Sequence, residues 1–200
     1  MATPINFYFD FSSPYGYLAS TRIEELAAKH GRTVVWRPIL LGAVFKVTGQ
    51  QPLASIPLKG GYMAHDLARS ARLLNVPFKL PTKFPVGAVA PSRAFYWLAE
   101  RDPALAKMLA RAVYHAYFAE DRDISSPEVT VNVAARVGAD PAELGQALND
   151  PAVKEKLRVE VDTAIARGVF GSPYIIVDGE PFWGSDRLDQ IDRWLQTGGW

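Results

Sequence analysis

The sequence predicts an α/β fold in which a thioredoxin-like core is split by an inserted all-helical domain. Three observations predict it: a β-α-β pattern at the start of the chain, almost wholly helical periodicity through the middle, and a β-β-α pattern at the end. This order assigns residues 1–53 and 168–200 to the core and residues 54–167 to the insertion. Because no internal repeat or low-complexity linker separates the parts, we expect one compact unit with a ligand-binding cleft between them.

The β-α-β pattern consists of two runs of β-forming residues, 5–11 and 33–39, around the amphipathic stretch "SPYGYLASTRIEELAAKHG". Ser13 and Pro14 are the residue types preferred at the N-cap and first position of a helix, and Gly31 is typical of a helix end. A strand–helix–strand connection of this kind predicts two parallel strands with the helix on one face of the sheet.

Prolines punctuate the helical middle of the chain. Each is expected near a helix start, where the missing amide hydrogen removes no intrahelical bond. These prolines are Pro91, Pro103, Pro127, Pro141 and Pro151. After them, "PYIIVDGEPFWG" predicts a β-hairpin that turns at Asp178-Gly179, and "SDRLDQIDRWLQTGG" predicts a last helix.

Composition excludes several classes of function. The 200 residues are 48% hydrophobic and carry 22 basic and 21 acidic side chains, so no nucleic-acid or membrane partner is expected. Without a signal-peptide pattern or a long apolar segment, we expect a cytoplasmic protein. With no cysteine and three dispersed histidines, the sequence provides neither a thiol of its own nor a predicted metal site.

The missing cysteine draws attention to "FDFSSPYG", because thioredoxin-like proteins usually present a reactive cysteine at this strand-to-helix junction. The simpler interpretation of Ser13 is an N-cap whose hydroxyl satisfies a free backbone amide of the first turn. The functional interpretation is that this hydroxyl and the positive helix end hold an anion, for which a thiolate is suited.

Two further dipeptides have the same double interpretation. The place of Pro173 in the element order predicts a cis-proline facing the first helix, although cis bonds are the minority in general. The backbone of Ser172 would then be free to pair with an extended peptide. Ser185 and Asp186 fit the start of the last helix, but they could equally bind the carboxylate and ammonium of an amino acid or a γ-glutamyl peptide.

Three stretches together carry a family resemblance: "FYFDFSSPYGYLA", "LKGGYMAHDLARSARLLNVPF" and "GVFGSPYIIVDGEPFWGSDRLDQI". They resemble the 2-hydroxychromene-2-carboxylate isomerases and the kappa-class glutathione transferases, over essentially the whole chain. The resemblance implies a DsbA-like thioredoxin fold, a homodimer, a small aromatic substrate, and glutathione as the cofactor that brings the missing thiol.

The resemblance also implies roles for individual residues. Ser13 would be the catalytic residue, since its hydroxyl would donate to the glutathione thiolate, and Ser12 would be a mild control for its substitution. The main chain of Ser172 would bond the cysteinyl part of glutathione, while Ser185 and Asp186 would hold the γ-glutamyl end. The implied glutathione-binding residues are Ser13, Gln50 (an asparagine in kappa-class members), Lys59 (at the glycyl carboxylate), Ser172, Pro173, Ser185 and Asp186.

The implied activity is a glutathione-dependent isomerisation in aromatic, naphthalene-type catabolism. A thiolate adds to the chromene, the ring opens, a bond rotates, and elimination of glutathione gives trans-o-hydroxybenzylidenepyruvate. Two alternatives stay open: a kappa-class transferase or peroxidase acting on electrophiles, and a non-catalytic peptide-binding module. The suggested walls of the substrate pocket are Phe45, Tyr62, Trp97 and Phe182, with Arg72, Arg93 or Lys59 as the cation for a substrate carboxylate.

Overall fold

The computed structural model of the chain describes residues 3–200, and its centre is a four-stranded mixed sheet. The strands are β1 (Ile5–Phe9), β2 (Val34–Pro38), β3 (Tyr174–Val177) and β4 (Glu180–Trp183), in the spatial order β2-β1-β3-β4. β1 and β2 are parallel, as predicted, whereas β3 is antiparallel to both β1 and β4. The predicted hairpin is confirmed: Asp178 (φ 52°) and Gly179 (φ 95°) adopt the left-handed conformations that a tight hairpin turn needs.

The single helix predicted between β1 and β2 is two helices, α1 (Pro14–Ser20) and α2 (Ile23–Lys29). The break falls where two hydroxyl side chains bond the backbone. The Oγ of Ser20 donates to the Tyr17 carbonyl (2.6 Å), and the Oγ1 of Thr21 donates to the Leu18 carbonyl (2.7 Å). Such local bonds compete with the regular helical pattern, and this explains a break that hydrophobic periodicity does not show.

One helix lies in a segment that the sequence left unassigned. Helix α3 (Leu41–Thr48) follows β2 and leads to a short 3-10 helix, Leu53–Ser55. The backbone amide of Leu41, at the start of α3, donates to the Oδ2 of Asp10 at 2.7 Å, across 31 residues of sequence. The helix therefore gets its N-terminal acceptor from a distant part of the chain, which no local capping pattern could reveal.

The middle of the chain is helical, as predicted. Its helices are α4 (Lys59–Leu73), α5 (Val89–Ala99), α6 (Pro103–Phe118), α7 (Pro127–Arg136), α8 (Pro141–Ala147) and α9 (Pro151–Ala166), and α10 (Leu188–Thr197) closes the chain. Proline is the first residue of α6, α7, α8 and α9, and an Asp or Ser side chain caps each of them. Pro91 is the exception, because α5 begins two residues earlier.

A continuous aromatic core joins the sheet to these helices. Phe9 of β1 contacts Phe95 of α5 (ring centroids 6.1 Å apart) and Tyr114 of α6 (5.7 Å), and all three side chains are buried. The same buried cluster includes side chains from both predicted parts, so the division at residues 53/54 and 167/168 stays a prediction. Among residues 3–200, no helix has the length and apolar character needed to cross a membrane.

Candidate functional site

A cleft of about 1840 Å³ opens beside the end of β1, between the sheet and the helical middle of the chain. Its presence there confirms the predicted cleft. All seven residues that the resemblance implies for glutathione binding line it: Ser13, Gln50, Lys59, Ser172, Pro173, Ser185 and Asp186. Residues from widely separated stretches thus share one surface, which is the arrangement that a binding site requires.

Ser13 is the N-cap of α1, as the simpler interpretation predicts. Its Oγ accepts a hydrogen bond from the Gly16 amide at 3.1 Å, and only 4% of the residue is exposed. The same hydroxyl donates to the carbonyl of Ser172 at 2.9 Å. The bond from the Gly16 amide holds the Ser13 oxygen at the edge of the cleft. The hydroxyl proton of Ser13 is donated across the cleft to the Ser172 carbonyl.

The Ser172-Pro173 peptide bond is cis, as predicted from the element order. The side chain of Ser172 points back under β1, where its Oγ accepts from the Asp10 amide at 2.9 Å. Within residues 3–200, the backbone amide of Ser172 donates no hydrogen bond, whereas its carbonyl accepts from Ser13. Ser172 therefore offers one open and one occupied backbone group to the cleft.

Asp10 is a cleft residue that the sequence analysis missed. Its two carboxylate oxygens accept from the backbone amides of Ser12 and Leu41, both at 2.7 Å, and its carbonyl accepts from the hydroxyl of Tyr114 at 3.0 Å. Burial raises the pKa of this carboxyl to about 6, and the bonds from Leu41 and Ser12 partly oppose that rise. An acidic residue directly after a buried strand and before the helix was the available signal.

Gly16 allows the walls of the site to approach each other closely. A Cβ at this position would lie 2.6 Å from the Tyr114 hydroxyl, 2.9 Å from the Ser172 Oγ and 3.3 Å from the Ser13 Cβ. Because both hydroxyls are held by other hydrogen bonds, neither can move freely to make room. Only glycine fits here, and its absent side chain lets Ser13 and Ser172 face each other.

Ser185 and Asp186 lie in a short 3-10 helix, Ser185–Arg187, that precedes α10. Neither side chain caps α10, whose N-cap is Arg187. Ser185 is therefore not a cap, whereas Asp186 does lie in the first turn, which runs directly into α10, and both residues line the cleft. Asp186 is exposed there and lies 3.4 Å from the guanidinium of Arg187.

Tyr15 lies near two carboxylates of the cleft, those of Asp66 and Asp186. The Tyr15 hydroxyl donates to the Oδ2 of Asp66 at 3.2 Å, and Asp66 also pairs with Arg69. The pKa of Tyr15 is raised, and burial is the largest cause. The neighbouring Asp66 is the next cause, and other neighbours, which include Asp186, contribute less. Tyr15 and Asp66 were not predicted as site residues. Asp66 and Asp186 bring two carboxylates to the cleft, each paired with an arginine, Arg69 and Arg187 respectively.

Helix α4 presents one face to the cleft. The cleft residues on it recur at the three- and four-residue spacing of a single helical face: Lys59, Tyr62, Met63, Asp66, Ser70 and Leu73. Lys59 and Asp66 are seven residues apart, so about 10 Å of helix separates an ammonium from a carboxylate. Among the residues that the structure describes, Lys59 forms no salt bridge within 4.0 Å.

The predicted substrate walls are partly wrong. Phe45 and Tyr62 line the cleft, but Trp97 and Phe182 do not. Trp97 lies beneath the guanidinium of Arg101, at 4.3 Å, and Phe182 is buried against a tryptophan of α10. An apolar aromatic in a sequence cannot by itself be assigned to a cleft or to a core.

Three cations were suggested for a substrate carboxylate, and only one of them, Lys59, lines the cleft. Arg93 donates to the carbonyl of Leu148 at 3.1 Å, away from the cleft, and Arg72 does not line it either. Lys59 does line the cleft, and Lys46 of α3, which was not considered, stands there as well. Gln50 lies just beyond α3, after Gly49 ends that helix in the left-handed conformation (φ 71°).

Fold and site together define a thioredoxin-like protein in which serine occupies the usual cysteine position. Comparison with known families agrees, since residues 4–196 match the model of the DSBA-like thioredoxin domain. The chain therefore belongs to the family of DSBA-like thioredoxin domains.

Two kinds of enzyme are among the similar proteins. The chain is 32% identical to a 2-hydroxychromene-2-carboxylate isomerase from Sphingobium xenophagum, over 98% of this chain and 99% of that protein. It is 29% identical to glutathione S-transferase kappa 2 from Caenorhabditis elegans, over 96% and 91%. A solved structure of a 2-hydroxychromene-2-carboxylate isomerase superposes with a TM-score of 0.88 at 28% identity, covering 97% and 95% of the two chains. The resemblance found in the sequence is thereby confirmed.

Proposed function

We propose that this protein is a glutathione-dependent isomerase of the 2-hydroxychromene-2-carboxylate type. The observation that carries the proposal is the pairing of the Ser13 hydroxyl with the partly open backbone of Ser172, inside a cleft of a chain without cysteine. An enzyme with this site needs a thiol from elsewhere, and a cysteinyl peptide supplies both the thiol and a backbone for Ser172 to bind.

The charges along the cleft support glutathione as that peptide. Asp66 and Asp186 suit the ammonium of the γ-glutamyl end, and Lys59 suits the glycyl carboxylate. Lys59 and Asp66 are about 10 Å apart along α4, close to the length of an extended tripeptide at roughly 3.3–3.6 Å per residue. Ser172 and Ser13 would receive the cysteinyl residue between these ends.

Glutathione, when bound, supplies a nucleophilic thiolate that adds reversibly to an activated double bond. Ser13 would hold the sulfur in its ionised form by donating its hydroxyl proton in a charge-assisted hydrogen bond. Phe45 and Tyr62 give the cleft apolar walls for an aromatic substrate, and Lys46 places a further positive charge there for a substrate carboxylate. The buried Asp10 holds the loop that carries Ser13 in place through the amides of Ser12 and Leu41.

The direct test follows the absorbance of the chromene carboxylate with and without glutathione. We expect turnover only with glutathione, and Ser13→Ala should reduce it at least tenfold, within the range of a lost transition-state contact. Ser12 is not the mild control that the sequence suggested, because its Oγ accepts from the Val86 amide at 3.0 Å and so holds a wall of the cleft. Ser55→Ala is the better control, since its exposed hydroxyl donates only to the Pro52 carbonyl and Ser55 does not line the cleft.

A kappa-class transferase is the second candidate, favoured by the 29% identity to glutathione S-transferase kappa 2. Conjugation of glutathione to chlorodinitrobenzene, without isomerisation of the chromene carboxylate, would favour the transferase over the isomerase. Absence of glutathione binding in calorimetry would refute both enzymes and leave the peptide-binding module.

The proposal includes a homodimer in the cytoplasm, and the exposed Leu58 (93%) and Leu73 (86%) near the cleft are consistent with a covered surface. Light scattering on the purified protein tests the dimer.

A further inference from the structure

The backbone carbonyl and the backbone amide of Ser172 differ in their hydrogen bonding. The carbonyl accepts the Ser13 hydroxyl at 2.9 Å, while the amide has no partner within the described chain, residues 3–200. The Ser13 oxygen is separately held by the Gly16 amide, and the Ser172 Oγ by the Asp10 amide. The heavy atoms are thus held in place, while the proton of the Ser13 hydroxyl can change its acceptor by rotation.

An extended peptide that pairs with Ser172 in the hydrogen-bonded register of an antiparallel pair uses both backbone groups of Ser172. In a hydrogen-bonded antiparallel pair, the two residues exchange two bonds, so each residue donates its amide and accepts at its carbonyl. The open amide of Ser172 would take the carbonyl of the incoming residue. The amide of that residue needs the Ser172 carbonyl, which is the acceptor that Ser13 now occupies.

We propose that the Ser172 carbonyl exchanges one hydrogen-bond donor for another. The Ser13 hydroxyl stops donating to this carbonyl only when a peptide amide donates to it instead. The incoming cysteinyl amide takes over the Ser172 carbonyl, and the Ser13 hydroxyl rotates to donate to the adjacent sulfur. No covalent bond changes in this step. The inference rests on the proposed function and adds to it that the site selects peptide thiols, because recognition of the backbone is what turns Ser13 toward the thiolate.

Hydrogen-bond satisfaction makes the exchange favourable for a peptide and unfavourable for other thiols. With a peptide, Ser172 keeps a donor on its carbonyl and gains an acceptor for its amide, while Ser13 gains a charge-assisted bond to sulfur. A thiol without an amide at this position would leave the partly buried Ser172 carbonyl unpaired if Ser13 turned away, which carries a desolvation cost. Such a thiol would therefore enter the cleft without being activated.

The first experiment measures binding of S-methylglutathione, which has the peptide backbone but no thiol to ionise. Ser13→Ala removes the competing donor, so we expect its affinity to rise about fivefold over wild type, the equivalent of one hydrogen bond of ~1 kcal/mol. Ser13→Thr keeps a hydroxyl and should bind as wild type does. An equal or lower affinity of Ser13→Ala, with thermal melting showing a folded variant, would overturn the exchange, because the carbonyl would then accept both donors together.

The second experiment measures the pKa of the bound thiol by ultraviolet absorbance of its thiolate. Glutathione on the wild type should show a lowered thiol pKa, and glutathione methylated at the cysteinyl amide nitrogen should show none of this lowering. Equal lowering for both would overturn the inference while leaving the proposed function intact. If the wild type binds neither glutathione nor S-methylglutathione, the proposed function fails and the exchange fails with it.

Discussion

The buried carboxyl of Asp10 makes the stability of this protein depend on pH in a direction that one substitution can isolate. Only 4% of Asp10 is exposed, and both carboxylate oxygens accept backbone amides at 2.7 Å. Burial is the largest influence and raises the pKa from 3.8 to about 6, in spite of those two bonds. Asp10→Asn removes the ionisation while keeping the size of the side chain.

The size of the effect follows from the two pKa values. At pH values between 3.8 and about 6, the folded protein binds more protons at Asp10 than the unfolded chain does. The contribution of Asp10 to stability is therefore fully present below about pH 4. It is lost as the pH rises through about 6, where the buried group ionises. A shift of about two units corresponds to ~3 kcal/mol, at ~1.4 kcal/mol per unit. Partly exposed carboxyls such as Asp121, whose pKa is lowered by its bonds to Lys79 and Thr82, act in the opposite direction in both proteins and cancel in the comparison.

Urea unfolding of wild type and Asp10→Asn, from about pH 4 to about pH 7, tests this reasoning. The asparagine has one acceptor oxygen for two amides, so it lowers the free energy of unfolding by a constant amount. On top of that offset, the difference between the proteins should shift by ~3 kcal/mol in favour of the variant as the pH rises. Asp189→Asn, a substitution of an exposed carboxylate, controls for the loss of one negative charge. A difference that stays constant with pH, or that shifts toward wild type, would refute the burial argument.

Three further substitutions test packing and charge. Gly16→Ala places a Cβ 2.6 Å from the Tyr114 hydroxyl, so we expect a loss of about 1–3 kcal/mol in thermal unfolding together with reduced turnover; an unchanged melting temperature would show that the walls can separate. Leu109→Ala removes a side chain with 0% exposure from the core of α6, and chemical denaturation should show a loss of about 2–5 kcal/mol, whereas under 1 kcal/mol would mean that the core relaxes. Lys59→Gln should weaken glutathione binding in calorimetry, and its difference from wild type should shrink at high salt; a salt-independent difference would exclude a charge contact.

The sequence could predict those elements whose stability is set locally. Runs of β-forming residues identified the strands, and proline marked the starts of α6 to α9. Helix α3 was missed because its first amide is capped by Asp10, a partner that only the folded chain brings near. The break between α1 and α2 was missed because hydroxyl bonds from Ser20 and Thr21, rather than periodicity, end the first helix.

Part of the lining of the candidate site could be predicted from polar residues placed directly before or after predicted strands. Ser13, Ser172 and Ser185 all reached the cleft, because each follows or precedes a strand whose place in the fold was predicted correctly. Asp66 was missed since its role depends on which face of α4 lines the cleft, although its seven-residue spacing from Lys59 was present in the sequence. Apolar side chains gave the least information, because a cleft wall and a core have the same composition.

The loop after β1 explains how a site on the core comes to depend on the helices packed around it. Asp10, Ser12 and Ser13 are all buried polar residues, and their side chains each accept an amide from a different structural element. Asp10 receives the amide that begins α3, Ser12 receives that of Val86 in the segment before α5, and Ser13 receives one from the first turn of α1. A buried polar group without such a partner would destabilise the fold, so these bonds must form together when the cleft forms. The position of the Ser13 hydroxyl is consequently set by the cleft walls as well as by its own helix, and a change at Val86 or at the start of α3 should alter the proposed activity without contacting the proposed ligand.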